Sequence, residues 1–444
     1  MSLLFYAWGS LNFLPIICIS ILINYWGGYF IALAQQKNVS HLSKHILILT
    51  VALNLLLLGY WKYLNFTINI LENLFDKQFH VPEIILPIGI SFFTFQGLSY
   101  TVDVYRKQVP VQKSLLNVGL YIALFPQLIA GPIVRYSDIN KQLEIRSHSP
   151  SLFVEGIKRF TIGLAKKSIL ANSLAVNADA IFNQPYTSNT PDIAWIGALS
   201  YALQIYFDFS GYSDMAIGLG KMFGFHIMEN FDYPYISKSI PEFWRRWHIS
   251  LGGWLRDYIY IPLGGNRKGK KRKLLNTLIV FGISGIWHGA NWTFVLWGIY
   301  YGVLIVISQI LQPFSQKFKI VNTPFVNFFK VLTTDFLVLI GWVLFKSNDI
   351  DHAFCYIKSM FGFVITDHPG FTYRWYLTNY NIFILIISLI ISLPCAKHIN
   401  ELLKNKLNAI MYELICDIGT IILLILSLTT VVTSTYNPFI YFQF

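Results

Sequence analysis

Residues 274–316 read LLNTLIVFGISGIWHGANWTFVLWGIYYGVLIVISQILQPFSQ and contain no formally charged side chain. As a single helix, this stretch would be about 65 Å long, roughly twice the thickness of the hydrocarbon core of a bilayer. It therefore predicts two membrane-embedded helices, near 274–288 and 290–312, that meet at Trp287-His-Gly-Ala-Asn-Trp292. The basic run Arg267-Lys-Gly-Lys-Lys-Arg-Lys273 directly precedes them and predicts that this end of the first helix lies on the cytoplasmic side.

The rest of the chain has the same apolar character. Of its 444 residues, 55% are hydrophobic and only 13% are charged, whereas charged residues make up about a quarter of an ordinary soluble domain. The long apolar blocks predict an all-α, polytopic integral membrane protein with ten or eleven membrane-embedded helices, short interfacial helices and a single membrane domain over residues 1–444. The remaining predicted segments lie near 11–34, 46–64, 84–104, 114–134, 157–178, 193–220, 326–345, 375–396 and 414–436.

The net charge of +12 comes from basic residues in the loops between the apolar blocks. This distribution orients a membrane protein and favours contact with lipids, so we expect no nucleic-acid partner. The four cysteines form no C-x-x-C pair, which argues against structural disulfides, iron–sulfur clusters and a thiol zinc site, and no metal is expected. The motifs of zinc proteases, P-loop proteins, nucleophile elbows and Rossmann domains are absent, which disfavours a hydrolase, a nucleotide-driven pump or a dehydrogenase.

Two of the predicted segments are unusual. The segment near 114–134 contains Pro126 and the pair Gly131-Pro132. Proline and glycine disfavour the interior of a helix, so this segment predicts a kinked or re-entrant helix. Such a broken helix is tolerated at membrane depth where protein or a water-filled cavity surrounds it.

The segment near 157–178 carries four basic residues, too many for a span that faces lipid. It predicts a helix that lies in the interface, or lysines that snorkel from a helix end.

His288 is the first candidate for chemistry. If its helix starts at the cytoplasmic surface near Leu274, the histidine lies roughly 20 Å along the helix, inside the membrane. Polar side chains are costly at that depth and usually face a bundle interior or an aqueous cavity. Two interpretations are open: a functional imidazole, or a histidine that only forms hydrogen bonds between helices.

His248 is the second candidate. The spacing Ser239-Ile-Pro-Glu242 is that of a capping box and predicts a helix from Ile240 to about Leu251. On this helix, His248 lies on an apolar stripe together with Trp244. The segment is either an amphipathic interfacial helix anchored by its tryptophans and arginines, or the carrier of a functional histidine.

Two acidic residues interrupt a third apolar segment. Asp208 and Asp214 lie in Tyr206-Phe-Asp-Phe-Ser-Gly-Tyr-Ser-Asp214. On a helix they are about 240° apart, so they do not form one paired-carboxylate face. Polar contacts between helices are the simpler interpretation of both side chains, with a catalytic role as the alternative.

Five strings, in their order along the chain, resemble bacterial membrane-bound O-acyltransferases of the alginate and peptidoglycan O-acetyltransferase type. They are Phe125-Pro-Gln-Leu-Ile-Ala-Gly-Pro132, Asp208-Phe-Ser-Gly-Tyr-Ser-Asp214, Phe243-Trp-Arg-Arg-Trp-His-Ile-Ser250, Trp254-Leu-Arg-Asp-Tyr-Ile-Tyr-Ile-Pro-Leu-Gly-Gly-Asn-Arg267 and Trp287-His-Gly-Ala-Asn-Trp292. The resemblance covers nearly the whole chain and includes the family's pair of histidines. It implies a ring of tilted helices around a central tunnel.

The resemblance also implies a function. It implies an enzyme that moves acetyl groups from a cytoplasmic thioester, acetyl-CoA, across the bacterial cytoplasmic (inner) membrane for O-acetylation of a cell-envelope or secreted polysaccharide. No cofactor would be bound permanently. The implied partners are membrane lipids, a polysaccharide acceptor and an extracytoplasmic acetyltransferase of the SGNH/GDSL type. The rival from another class is a secondary transporter or flippase, although the two halves of the chain show no internal repeat.

The resemblance assigns roles to individual residues. The family histidine that matches His288 is essential and the one that matches His248 lies near the same tunnel, so both are catalytic candidates, with His288 as general base. Asn291 would orient the ring of His288 if the helix continues past it. Tyr441, in the aromatic C-terminal segment, is either an anchor at the membrane surface or an acyl relay. Further candidates for orienting or tunnel-lining residues are Trp287, Arg256, Asp257 and Asp208.

Overall fold

Every regular element in the described part of the chain is helical, so the all-α prediction is confirmed there. The structure is a computed structural model that describes residues 1–79, 81–82, 84–129, 131–317, 323–364, 371–434 and 436. The chain divides into two compact units. Among the described residues, the N-terminal unit consists of residues 1–157 and 216–228, and the C-terminal unit of residues 158–215 and 229–436. A single membrane domain over residues 1–444 stays a prediction.

The α-helices are numbered here in chain order. They are α1 (Ser2–Ser10), α2 (Leu14–Gln36), α3 (Ser40–Phe75), α4 (Ile90–Tyr105), α5 (Leu115–Ile122), α6 (Phe125–Leu128), α7 (Tyr136–Glu144), α8 (Pro150–Ala165), α9 (Asn172–Phe182), α10 (Pro191–Met222), α11 (Ile240–Arg246), α12 (Ile249–Leu255), α13 (Gly269–His288), α14 (Trp292–Lys317), α15 (Pro324–Lys346), α16 (Ile350–Met360), α17 (Tyr373–Tyr376), α18 (Asn379–Ser392), α19 (Cys395–Lys406) and α20 (Ala409–Thr433). The π-helical stretches Lys166–Ala171 and Arg256–Tyr260 follow α8 and α12 directly. Helices α8 and α10 contribute residues to both units.

Among the described residues, five helices are long and apolar enough to cross a membrane. They are α2 with the short turn before it, α3, α14, α15 and α20. The pair α18 and α19, bent by 68° at its break, adds a sixth if the two form one span. The other predicted segments are shorter, broken or richer in charge; α4, for example, has 16 residues. The larger number of ten or eleven membrane-embedded helices and the central tunnel stay predictions.

The segment predicted near 114–134 is broken, as its prolines and glycines indicate. Helix α5 is followed by the single turn of α6, which has Pro126 near its first position. The side chain of Ser114 accepts a hydrogen bond from the backbone N–H of Asn117 and thereby caps α5. The predicted break in this helix is therefore confirmed.

The charged segment predicted near 157–178 forms the end of α8, a π-helical stretch and α9. Its lysines have acidic partners within the C-terminal unit. Lys167 lies 2.5 Å from the carboxylate of Asp208, and Lys166 lies 2.7 Å from that of Asp214, both on α10. That this helix lies in the interface, or that its lysines snorkel, stays a prediction, while the pairing with carboxylates of the neighbouring helix satisfies the lysine charges within the protein. The pairing also agrees with the interpretation of the two aspartates as contacts between helices.

Helices α13 and α14 are the hairpin predicted from the uncharged stretch. They approach each other closely where glycine faces glycine. A Cβ atom on Gly285 would lie 2.4 Å from the carbonyl oxygen of Phe294 and 3.1 Å from the Cα atom of Gly298. Small residues permit this backbone approach between membrane helices, so the hairpin depends on the absence of a side chain here.

We expect Gly285→Ala to destabilise the protein by about 1–3 kcal/mol, because the added methyl group overlaps a backbone oxygen that belongs to a helix. Gly282→Ala on the same helix is the matched control, since no neighbouring atom lies within 4 Å of a Cβ placed there. Thermal unfolding in detergent measures the difference. Equal melting temperatures for the two variants would show that the hairpin tolerates a wider separation.

Candidate functional site

His288 is the last residue of α13 and is buried, with 6% of its surface exposed. The next residue, Gly289, is fully extended, so the chain leaves the helix before α14 begins at Trp292. The predicted junction between the two helices is therefore confirmed. The imidazole lies edge-on to the rings of Trp297 and Phe345, with centroid separations of 4.9 and 5.2 Å. Its surroundings are aromatic and largely apolar.

Asn291 does not meet the condition under which it would orient the ring of His288, because α13 ends at that histidine. Its side-chain amide donates a hydrogen bond to the carbonyl oxygen of Asn348, at 2.7 Å. Its side-chain oxygen accepts one from the backbone N–H of Thr293, at 3.1 Å. The structure thus corrects its role: Asn291 satisfies a backbone N–H at the start of α14 and fixes the loop before α16.

The helix predicted from Ile240 to about Leu251 is wrong in its second half. It starts as predicted, with Ser239 as the cap, but α11 ends at Arg246. His248 then adopts a left-handed backbone conformation, with φ 46° and ψ 53°, and α12 begins at the following residue. His248 therefore does not lie on a continuous apolar stripe.

The break has a tertiary cause, because a neighbouring segment binds the freed backbone groups. The N–H of Asp232 donates to the carbonyl oxygen of Arg246 at 2.9 Å, and the N–H of Ile249 donates to the carbonyl oxygen of Asn230 at 3.0 Å. The guanidinium group of Arg246 also binds the carboxylate of Asp232 at 2.9 Å. These contacts replace helical hydrogen bonds on both sides of His248 and hold the turn.

The ring of His248 is almost completely buried, with 2% of the residue exposed. It packs edge-on to Phe209, with the ring centroids 4.5 Å apart, and its Nδ1 atom lies 3.3 Å from the side-chain oxygen of Asn230. Burial lowers the pKa of His248 well below its usual range, and the proximity of His288 lowers it further. Burial therefore favours the neutral form of this imidazole.

The rings of both histidines lie near the ring of one tryptophan. The ring centroid of Trp287 is 6.3 Å from that of His248 and 4.9 Å from that of His288. All three residues are buried and belong to the C-terminal unit. The structure thus brings together three of the residues that the sequence singled out, and it places two imidazoles in one aromatic cluster.

The other candidates lie in different surroundings. Arg256 and Asp257 form an ion pair with each other at 2.7 Å, and the arginine side chain is 63% exposed. Asp208 pairs with Lys167, as described above. Tyr441 lies outside the described residues. No group of three or more histidine, cysteine, aspartate or glutamate side chains is arranged to hold a metal ion in the described part of the chain.

Asn230 is the site residue that sequence reasoning missed. It lies in the irregular segment between α10 and α11, where no periodicity or motif marks it. The one available signal is its position in a short polar stretch, Glu229-Asn230, between apolar blocks. Only the tertiary structure brings its side chain against His248.

Residues 30–344 match the family model of the membrane-bound O-acyltransferase family. The chain is 44% identical over 368 residues to a probable alginate O-acetylase AlgI of Azotobacter vinelandii, which covers 82% of this chain and 71% of that protein. It is 36% identical over 394 residues to a peptidoglycan O-acetyltransferase of Helicobacter pylori, covering 81% and 72% of the two chains. A teichoic acid D-alanyltransferase of Bacillus subtilis is 27% identical over 277 residues, covering 60% of this chain and 70% of that protein.

These matches agree with the helical architecture and with the long apolar helices. The family model covers well over half of the chain. The relatives at 44% and 36% identity are each matched over more than two thirds of their length. The chain therefore belongs to the membrane-bound O-acyltransferase family and is a membrane O-acyltransferase.

Proposed function

We propose that this enzyme transfers acetyl groups from acetyl-CoA on the cytoplasmic side of the bacterial inner membrane for the O-acetylation of a cell-envelope or secreted polysaccharide. The observation that carries the proposal is the pair of buried histidines next to Trp287. The names of the relatives, an alginate O-acetylase and a peptidoglycan O-acetyltransferase, support an acetyl group and a polysaccharide acceptor. Family membership favours this reaction over the transporter or flippase alternative.

In the proposed reaction, His288 is the general base. An oxygen of the acceptor hydroxyl attacks the carbonyl carbon of the thioester while its proton passes to the imidazole. The carbon–sulfur bond then breaks, and the leaving thiolate takes the proton back from the imidazolium. No net proton is produced, and no metal or bound cofactor takes part in the step. The aromatic rings around His288 exclude water that would otherwise hydrolyse the thioester.

We place the final acceptor outside the cytoplasm, reached through a partner acetyltransferase of the SGNH/GDSL type. In this version, the phenol of Tyr441 receives the acetyl group first, and the partner passes it to the polysaccharide. Tyr441→Phe would then remove acetylation of the polymer while leaving acetyl-CoA binding intact. Unchanged ester content in that variant would rule out the relay without affecting the assignment of His288.

The experiment that tests the proposed function measures ester-linked acetate on each purified envelope polysaccharide. Cells that lack the gene are compared with the same cells complemented with the wild-type gene. We expect nearly all the ester-linked acetate to disappear from one polymer and to return only on complementation. An unchanged acetate content in every polymer would contradict a role in polysaccharide acetylation and would favour another acceptor.

A further inference from the structure

The hydrogen bonds of Asn230 define the orientation of its side-chain amide. The backbone N–H of Ser250 donates to the Oδ1 atom of Asn230 at 3.0 Å. A backbone N–H only donates, so the atom that it contacts is the amide oxygen and not the nitrogen. The amide nitrogen faces the other way and donates to the Oγ atom of Ser213 at 3.3 Å. All three residues are buried.

This orientation determines which nitrogen of His248 carries the proton. The same Oδ1 atom of Asn230 lies 3.3 Å from Nδ1 of the ring, and an amide oxygen only accepts hydrogen bonds. Nδ1 must therefore be the protonated nitrogen. The hydroxyl oxygen of Ser250 lies 3.4 Å from Nδ1 and also accepts a hydrogen bond from it. In a neutral imidazole the other nitrogen, Nε2, then carries the lone pair.

The Nε2 atom of His248 is buried and has no hydrogen-bond partner within the part of the chain that the structure describes. An unpaired buried acceptor is costly unless a ligand supplies the missing donor. The backbone of Asn230 contributes as well. Its carbonyl oxygen accepts a hydrogen bond from the N–H of Ile249 and thereby stabilises the left-handed turn at His248. One asparagine thus positions both the turn and the ring.

We propose that Asn230 is a positioning residue that holds His248 in the Nδ1–H tautomer, so that Nε2 meets the substrate as a hydrogen-bond acceptor. The identity of that substrate rests on the proposed function. A lone pair on Nε2 accepts from an O–H or N–H group, such as a hydroxyl of the acceptor or an amide of the donor's pantetheine arm. Neutral His248 therefore does not donate a hydrogen bond to the thioester carbonyl.

The tautomer is tested directly by solid-state NMR of the full-length protein in lipid, labelled with nitrogen-15 histidine. Subtraction of the His248→Ala spectrum assigns the signals of this ring. We expect a protonated Nδ1 in the wild type and in Asn230→Asp, and loss of this single tautomer in Asn230→Ala. A protonated Nε2 in the wild type would overturn the proposal. This result does not depend on the reaction that the enzyme catalyses.

The positioning role is tested by the initial rate of thiol release with acetyl-CoA as the probe. We expect Asn230→Ala to lower kcat by at least about tenfold with little change in KM, because the wrong tautomer impairs the chemical step rather than binding. Asn230→Asp, which keeps both accepting contacts, should retain most of the rate. Ser213→Ala is the matched control, since it removes only the outer hydrogen bond.

The possible failures of these two tests are distinguishable. Wild-type kcat in Asn230→Ala, together with a mixed tautomer, would overturn the positioning role. If the wild-type enzyme releases no thiol from acetyl-CoA, the proposed donor is wrong, whereas the tautomer measured by NMR still decides the assignment of Asn230. An inactive Asn230→Asp with an unchanged melting temperature would also contradict the proposal.

Discussion

His288→Ala is expected to lower the rate of acetyl transfer by about 10²- to 10⁴-fold, the usual contribution of a positioned general base. The rings of Trp287, Trp297 and Phe345 lie against the imidazole of His288, and His248 is the other histidine of the same cluster. The measurement is thiol release from acetyl-CoA by the purified protein in lipid, with the melting temperature recorded for each variant.

His398→Ala is the matched control for this variant. His398 is 82% exposed and makes only a long contact of 3.8 Å with Glu401, so its removal should leave the rate unchanged. His288→Gln keeps a polar side chain of similar reach without an imidazole, and it should be nearly as inactive as the alanine variant. Retention of more than half the wild-type rate by a folded His288→Ala protein would show that the proton acceptor is another residue.

The hairpin could be predicted because it depends on local features of the sequence. An uncharged stretch too long for one span must turn back, and the least apolar point within it, Trp287-His-Gly-Ala-Asn-Trp292, marks the turn. The structure places the junction there, with α13 ending at the histidine itself. The break between α5 and α6 could also be predicted locally, since proline and glycine are clustered there and both disfavour the interior of a helix.

The surroundings of His248 could not be predicted, because they are made by residues distant in sequence. The local pattern favours one continuous helix, with a cap at Ser239, a proline only in the first turn and no further glycine or proline before Gly252. The backbone nevertheless turns at His248, since the segment around Asn230 supplies alternative hydrogen-bond partners for both sides of the break. A helix-capping rule identifies where such a segment starts but contains no information on which tertiary contact ends it.

Asn291 illustrates a related limit of helical spacing. Asn291 is the third residue after His288, and on a continuous helix this spacing would place both side chains on one face. The chain is extended at Gly289, so this spacing has no meaning across the junction. The two side chains belong to different environments: His288 to the aromatic cluster, and Asn291 to the loop that contacts Asn348.

Lys167→Met is expected to destabilise the protein by about 3–5 kcal/mol, because it removes the cation opposite a carboxylate of Asp208 that is only 2% exposed. Lys158→Met is the matched control from the same helical region. Its partner Asp417 is 52% exposed, so Lys158→Met should lower the stability by less than about 1 kcal/mol. Unfolding in detergent, induced by heat or by denaturant, measures the change in stability of both variants.

The double variant Lys167→Met, Asp208→Asn separates a structural role of Asp208 from a catalytic one. A neutral pair in place of a buried ion pair is often tolerated, so we expect the double variant to recover most of the stability lost in Lys167→Met. If Asp208 only joins α10 to the π-helical stretch that follows α8, the rate of thiol release recovers together with the stability. A stable double variant without activity would show that the carboxylate itself takes part in the reaction, and Asp208 would then join His248 and His288 in the catalytic site.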